Sequence, residues 1–215
     1  MRAGLARHIL GRRVERVEVF DARPLRRQAG GPGAFVRGLE DRVLTAAVRR
    51  GKFLWLPLDD GAALVAHLGM SGQLLVRTAA PPGGTPLGDA SPGGEGFPGA
   101  DLLALDDTPP PDPTAARPPT LVRDLSLRPR HLRVRLHLGP RPDDPEAGAH
   151  GPGADRPAAV LDLVDQRMLG GLHLAPLVPT ADGAPGGRGD EAPLLPAGAT
   201  HIARDLLDPH LDEAG

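Results

Sequence analysis

Short apolar segments joined by tight turns constrain this chain more than any other feature. "KFLWLPL" and "AALVAHL" flank a DDG hairpin turn at residues 59–61, and "QLLV" follows from Gln73. Later, "RHLRVRLHL" alternates apolar and charged residues, and "AAVLDLVD" is its expected hairpin partner. Many short strands with little helix between them favour an antiparallel sandwich or barrel over a parallel sheet. We predict a mainly β fold, an antiparallel β-sandwich flanked by short helices.

The N-terminal residues contain the clearest helical pattern. Leu5, Ile9 and Leu10 fall on one side of a short helix, and Gly11 is placed to end it. The next segment, "RVERVEVF", alternates imperfectly, which predicts a strand with a bulge near Arg16. "RVLTAAVRR" reads as a further strand that ends just before Gly51.

Three segments interrupt this strand pattern. Residues 81–119 hold 11 Pro and 7 Gly in 39 residues, a composition too poor in apolar residues to offset chain entropy. Similar composition recurs later, so we predict low-complexity, disordered insertions at about 78–129, 139–157 and 179–198. Loops absorb such insertions at small cost, because closure entropy grows slowly with loop length.

The distribution of charge and the absence of cysteine narrow the function. Residues 1–52 carry 13 Lys and Arg against 5 Asp and Glu, although the whole chain has 25 against 27. This basic N-terminal part favours an anionic partner such as a phosphate backbone; a solvated, arginine-rich surface is the alternative. With no cysteine, disulfides and thiolate zinc sites are excluded. No apolar run is long enough for a signal peptide or a membrane span, so we expect a cytoplasmic protein without membrane contact.

With the insertions set aside, the order of the remaining segments resembles the N-terminal domain of bacterial formamidopyrimidine-DNA glycosylases. "RRGKFLWL" and "HLGMSGQL" are specific to that family, and "DQRMLGG" is a near match in which Leu169 replaces the usual phenylalanine. The resemblance covers nearly all of the chain outside the insertions. It implies excision of oxidised purines such as 8-oxoguanine, which are flipped out of the duplex first. The implied partner is double-stranded DNA with an oxidised base or an abasic site, bound by a monomer near the nucleoid.

Met70 stands between glycines in "HLGMSG", at a turn where burial is difficult. The resemblance implies that this methionine enters the duplex and fills the gap left by the flipped nucleotide. A flexible apolar side chain suits an irregular void, and apolar wedges are known to hold unstacked DNA open. Ordinary core filling is the alternative.

Lys52 is the only lysine among the 25 basic residues. A compact ammonium has uses that a guanidinium lacks, including proton transfer. The resemblance implies that Lys52 is a catalytic residue that contacts the phosphate near the lesion and assists strand cleavage. A solvated lysine at the end of a strand is the alternative.

Four further residues take roles from the resemblance. Arg167 matches the arginine that hydrogen-bonds the unpaired cytosine, a task suited to a planar fork. Leu169 would be a second wedge. His131 would bind backbone phosphate; a surface histidine at the start of a strand is the alternative. His67 is expected to be structural and to hold the wedge loop through a backbone hydrogen bond.

The sequence also departs from the family pattern. The family's nucleophile is an N-terminal proline amine that attacks the sugar C1′ to form a Schiff base, and a glutamate follows it. Arg2 occupies the second position here, and the family's C-terminal helix–two-turn–helix and zinc-finger parts have no counterpart. We therefore expect a truncated, inactive polypeptide without a cofactor.

Three functions are open at this point. The first is a glycosylase and abasic-site lyase domain of base-excision repair, spanning residues 1–215. The second is a non-catalytic DNA-binding module that senses damage through Lys52, Met70 and Arg167. The third is an unrelated β-sandwich interaction domain.

Overall fold

A computed structural model describes residues 2–78, 129–141 and 158–204 of the chain. Most of the first two predicted insertions, at 78–129 and 139–157, lies outside the described residues. Within these ranges the two α-helices are α1, Arg2–Ile9, and α2, Gly31–Leu39. The strands of the described ranges are β1 Val14–Val19, β2 Val48–Arg50, β3 Phe53–Pro57, β4 Ala62–His67, β5 Gly72–Thr78, β6 Leu132–Leu138, β7 Ala159–Asp165, β8 Gly171–Pro179 and β9 Leu194–Pro196.

The described strands form two antiparallel sheets. One has the order β1-β6-β7-β5 and the other the order β2-β3-β4-β8-β9. Their inner faces share one core, in which Leu136 and Leu163 of the first sheet join Leu64 and Leu172 of the second. The predicted mainly β sandwich is therefore confirmed, and three short 3-10 turns accompany the two helices.

Strand alternation divides the apolar residues of the five-stranded sheet between two clusters. On β3, Leu54 and Leu56 point into the main core, whereas Trp55 joins a smaller cluster on the outer face. Successive side chains of a strand point to opposite faces, which explains the division. Both faces of β3 and β4 are buried, so these segments are almost continuously apolar.

The predicted N-terminal features are confirmed. Helix α1 buries Leu5 and Ile9, and Gly11 follows with a positive φ of 76°. The register of β1 against β6 shifts between Val14 and Arg16, which is the predicted bulge. β6 and β7 pair as predicted, with a second register shift after Leu132.

The segment "RVLTAAVRR" differs from the prediction of one continuous strand. Only Val48–Arg50 is a strand, and Val43 and Leu44 form isolated bridges to Arg13 and Leu58. The Thr45 backbone N–H donates to the Pro57 carbonyl, so the chain still runs antiparallel beside β3 there, but the pairing is irregular between Thr45 and Val48.

The third predicted insertion, 179–198, is corrected by the structure. β9 pairs with Leu177–Pro179 of β8, and the Thr180 hydroxyl donates to the Ala184 carbonyl at 2.8 Å. A Cβ on Gly187 would lie 2.6 Å from the Arg49 carbonyl oxygen. Glycine therefore lets this segment lie flat against β2. The glycine-rich composition that suggested a disordered insertion reflects this packing.

Candidate nucleic-acid interface

Two short loops connect the sheets at the same end of the sandwich. The β4–β5 loop is residues 68–71, and the β7–β8 loop is residues 166–170. His67 at the end of β4 pairs with Gly171 at the start of β8, and Asp165 at the end of β7 pairs with Gly72 at the start of β5. Four strand ends therefore meet here, and we call this end, with its two loops, the site end.

The two loops of the site end touch each other. A Cβ on Gly69 would lie 2.9 Å from the Leu169 Cβ and 3.0 Å from its carbonyl oxygen, and Gly69 has a φ of 56°. A Cβ on Gly72 would lie 2.4 Å from the Leu68 carbonyl oxygen. A larger residue at either position would separate the loops or open the turn, so glycine is required on both sides of Met70.

Met70 and Leu169 are exposed although both are large and apolar. Met70 is 79% exposed and Leu169 is 45% exposed, and the third large apolar side chain exposed in the described ranges is Phe20, at 55%. Core filling is thereby excluded as the role of Met70. Exposed apolar side chains gathered at one place usually mark a binding surface.

The side chain that joins the two loops is Asp165, which the sequence analysis overlooked. Its carboxylate is buried and accepts hydrogen bonds from the Ser71 hydroxyl at 2.6 Å and the backbone N–H groups of Arg167 at 3.1 Å and Gly170 at 2.7 Å. Burial raises the pKa of Asp165, but hydrogen bonds from Ser71, Gly170, Arg167 and Met168 outweigh burial and hold the pKa below its ordinary value. The available signal was an acidic residue that ends the apolar strand "AVLDLVD".

Arg167 presents its guanidinium to solvent. Its backbone N–H donates to Asp165 and to the Ser71 hydroxyl, yet among the described residues no partner of the guanidinium is seen. The next residue, Met168, turns the chain with a φ of 59°. The anchored backbone and the unpaired fork leave Arg167 available for a ligand.

Lys52 lies in the turn between β2 and β3 and is exposed. Its neighbour Phe53 packs against the His67 ring, with ring centroids 6.1 Å apart. Lys52 is therefore next to the strand ends that carry the Met70 loop. Solvation and phosphate binding both fit this placement.

The two histidines differ in how they are placed. His131 ends a 3-10 turn, Pro129–His131, that leads into β6 at the site end, where the Arg130 Nε donates to its Nε2 at 3.2 Å. The backbone hydrogen bond predicted for the His67 side chain is not found in the described part of the chain. His67 instead lines a small recess with Arg26, Arg27 and His173. Burial lowers the pKa of His173, and the charge of Arg27 lowers it further.

Arginines brace the site end from outside. Arg26 donates to the carbonyl oxygens of Gly170 at 2.9 Å and Leu169 at 3.3 Å, and the Arg133 Nε donates to the Asp165 carbonyl oxygen at 2.9 Å. The result is positive charge beside the β7–β8 loop that carries Leu169. Positive charge of this kind attracts phosphate groups.

Asp21 offsets part of this charge, because its carboxylate pairs with Arg133 as well as with Arg23. A hydrogen bond from Arg23 holds the pKa of Asp21 at about 2, with Arg133 contributing, and the Arg23 Nη2 lies 2.6 Å from the carboxylate.

In the described ranges, no three His, Asp or Glu side chains come together as a metal site would require. No helix of those ranges has the length and hydropathy to cross a bilayer.

Comparison with known proteins assigns the sequence to a family. The sequence profile of the formamidopyrimidine-DNA glycosylase N-terminal domain matches residues 1–172. The chain belongs to the formamidopyrimidine-DNA glycosylase family. The formamidopyrimidine-DNA glycosylase of Nocardioides sp. is 38% identical over 213 residues, which are 99% of this chain and 48% of that protein. The one from Leifsonia xyli subsp. xyli is 36% identical over 216 residues, 100% of this chain and 53% of that protein.

The chain spans about half the length of these glycosylase relatives. Among solved structures, the Lactococcus lactis glycosylase in complex with DNA containing an abasic site has a TM-score of 0.47 and 16% identity. That match covers 81% of this chain and 41% of the other. A similarity of this size supports no conclusion about the present chain, and family membership rests on the sequence comparisons.

Proposed function

We propose that this chain is the duplex-holding part of a DNA glycosylase and abasic-site lyase that acts in base-excision repair of oxidised purines. The observation that carries the proposal is the site end itself. In a member of the glycosylase family, exposed Met70 and Leu169 lie in touching loops beside Arg167, whose guanidinium has no partner among the described residues. Arg26 places positive charge against the loop that carries Leu169.

In the proposed complex, Met70 and Leu169 enter the helix where the damaged nucleotide leaves it. Unstacking a base step costs a few kcal/mol, and apolar contact in the resulting gap offsets part of that cost. Arg167 then hydrogen-bonds the cytosine that has lost its partner, since a guanidinium presents two parallel donors. Phosphate contacts from Lys52 and His131 fix the register of the duplex but do not select the lesion.

The chemistry is proposed for the full-length glycosylases of the family, of which this chain matches about half. An amine attacks the sugar C1′ and the bond to the oxidised base breaks. The resulting Schiff base then allows elimination of the phosphate, which cuts the strand, and Lys52 assists that step. The described residues supply the positioning that this reaction needs, because covalent attack tolerates little misplacement.

Binding measurements on the 215-residue chain test the proposal. Fluorescence anisotropy with a labelled duplex that carries an abasic site opposite cytosine should give tighter binding than the same duplex intact. Arg167→Ala should remove that preference, whereas Arg13→Ala should keep it. Arg13 is the matched control, because it is an exposed arginine beside the start of β1, at the opposite end of the sandwich. Equal affinity of the unsubstituted chain for both duplexes would contradict the proposed function.

Borohydride trapping with abasic-site DNA separates the enzymatic function from a non-catalytic damage sensor. Covalent adduct formed by the 215-residue chain would show that it carries its own nucleophile, and peptide mapping would locate the amine. Lesion-selective binding without adduct would favour the sensor for this polypeptide alone.

A further inference from the structure

We propose that Asp165 is a positioning residue that locks the Met70 loop and the Arg167 loop into one rigid, duplex-reading unit. The inference rests on the proposed function and adds to it a residue that never touches DNA. Asp165 is the last residue of β7, and its side chain is completely buried beneath both loops.

The hydrogen bonds of Asp165 cross between the loops. On one side, its Oδ1 accepts from the Ser71 hydroxyl, the residue that follows Met70. On the other side, Oδ1 accepts from the Arg167 N–H and Oδ2 from the Gly170 N–H, the residue that follows Leu169. Each intruding side chain is therefore one residue away from a group bonded to the same carboxylate.

The carboxylate is well suited to this role. Ionised, it offers only acceptors, and every contact here comes from a donor. Hydrogen bonds to a charged group are stronger than those between neutral groups, and burial away from water increases their strength. Gly170 is also required, because a Cβ there would lie 2.9 Å from Oδ2.

Rigidity of the loops matters because the wedge residues are exposed. Nothing in the core holds Met70, so its position depends on its own backbone. A preorganised loop reaches the gap in the duplex without first losing conformational entropy, and that saving appears as affinity for the lesion. A mobile loop would still meet phosphates but would distinguish damaged from intact DNA poorly.

Asp165→Asn is the sharpest test, because it preserves shape and leaves one acceptor oxygen for donors on both sides. The matched control is Asp162→Asn. Asp162 is equally buried on the same strand, but it accepts from Arg135 at 2.7 and 3.1 Å and pairs with Arg77, away from both loops.

Amide hydrogen exchange reads the loops directly, without DNA. In Asp165→Asn, exchange of residues 69–72 should accelerate by about tenfold, as expected when a hydrogen bond to a charged group is lost. Gly72 is informative, because its N–H donates to the Leu68 carbonyl and not to Asp165. Asp162→Asn should leave this exchange unchanged after correction for global stability. Unaltered exchange of residues 69–72 in Asp165→Asn would overturn the inference.

Binding then separates this inference from the proposed function. Asp165→Asn should reduce the ratio of affinities for abasic-site and intact duplexes towards one, with affinity for intact DNA preserved. Asp162→Asn should keep the unsubstituted ratio. If the unsubstituted chain shows no lesion preference, the proposed function fails, while hydrogen exchange still decides the role of Asp165. If the preference exists and Asp165→Asn retains it, the positioning role is wrong.

Discussion

The two ends of the sandwich differ in what they expose. At the site end, Met70 and Leu169 face solvent, and Arg167 has no partner for its guanidinium among the described residues. The opposite end, which we call the turn end, carries the β3–β4 turn, where Asp60 pairs with Arg42 at 3.1 Å and accepts the Ala62 N–H at 3.0 Å. The site end therefore exposes apolar side chains and a guanidinium, whereas the carboxylate of the β3–β4 turn is hydrogen-bonded and paired within the protein.

This difference separates binding from folding. A turn that only reverses the chain is stabilised by its own local hydrogen bonds. The site end instead uses a buried carboxylate to hold apolar side chains out in water, where they contribute nothing to the core. Such an arrangement lowers stability unless a partner covers it, so the contrast supports the proposal that DNA binds at the site end.

The largest expected effect is on stability and comes from the core that the two sheets share. Leu163 is fully buried in β7 between Leu74 and Val134. Leu163→Ala should lower the free energy of unfolding by about 2–5 kcal/mol through lost burial and the cavity left behind. Urea denaturation measures this loss. A change below about 1 kcal/mol would show that the shared core is less tightly packed than the burial of Leu163 indicates.

Substitutions at the site end should affect selectivity and not stability. Met70→Ala should leave the free energy of unfolding within about 0.5 kcal/mol, since the side chain is 79% exposed. It should nevertheless remove most of the preference for an abasic-site duplex. Arg167→Ala should behave alike, with about 1–3 kcal/mol of discrimination lost. An equal loss of affinity for damaged and intact DNA would contradict the proposed selectivity of the site end.

Lys52→Ala should change how DNA affinity depends on salt and leave the preference for damaged DNA unchanged. Loss of one phosphate contact should reduce the slope of log affinity against log salt by about one, equally for damaged and intact duplexes. Anisotropy titrations over a range of salt concentrations measure the slope. An unchanged slope would mean that Lys52 is a solvated lysine at the end of a strand.

Acid should loosen the site end. The pKa of Asp165 is lowered, and that of Asp21 falls from 3.8 to about 2. A carboxylate with a depressed pKa in the folded state stabilises the fold above its unfolded pKa, and the contribution is lost as pH falls through the folded pKa. Thermal stability should therefore decline from about pH 4 downwards. Asp165→Asn should make the decline shallower, and an identical decline would argue against the contribution of Asp165.

The smallest effect should come from the turn end. Asp60→Ala removes a partly exposed ion pair and a turn hydrogen bond, so it should cost about 1 kcal/mol or less. Lesion preference and salt slope should both stay at their unsubstituted values. A change in either would extend the proposed binding surface to the turn end.

Local patterns predicted the elements well where the controlling interactions are local. The short helix ending at Gly11, the bulge near Arg16 and the β6–β7 pairing follow from periodicity over a few residues. The prediction for the third insertion was wrong, because Gly187 and its neighbours pack flat against β2. That contact joins residues far apart in the chain, and local composition does not reveal it. Asp165 was overlooked for a similar reason, since a single acidic residue at a strand end does not reveal which donors the fold brings to it.

By itself, the sequence determined the alternating strands, the glycines around Met70 and the family motifs, because each depends on residues close together in the chain. Tertiary structure alone decided that residues 68–71 and 166–170 form one surface. Those loops lie almost 100 residues apart in sequence. They meet because both connect the same two sheets at one end, where a buried carboxylate binds donors from both.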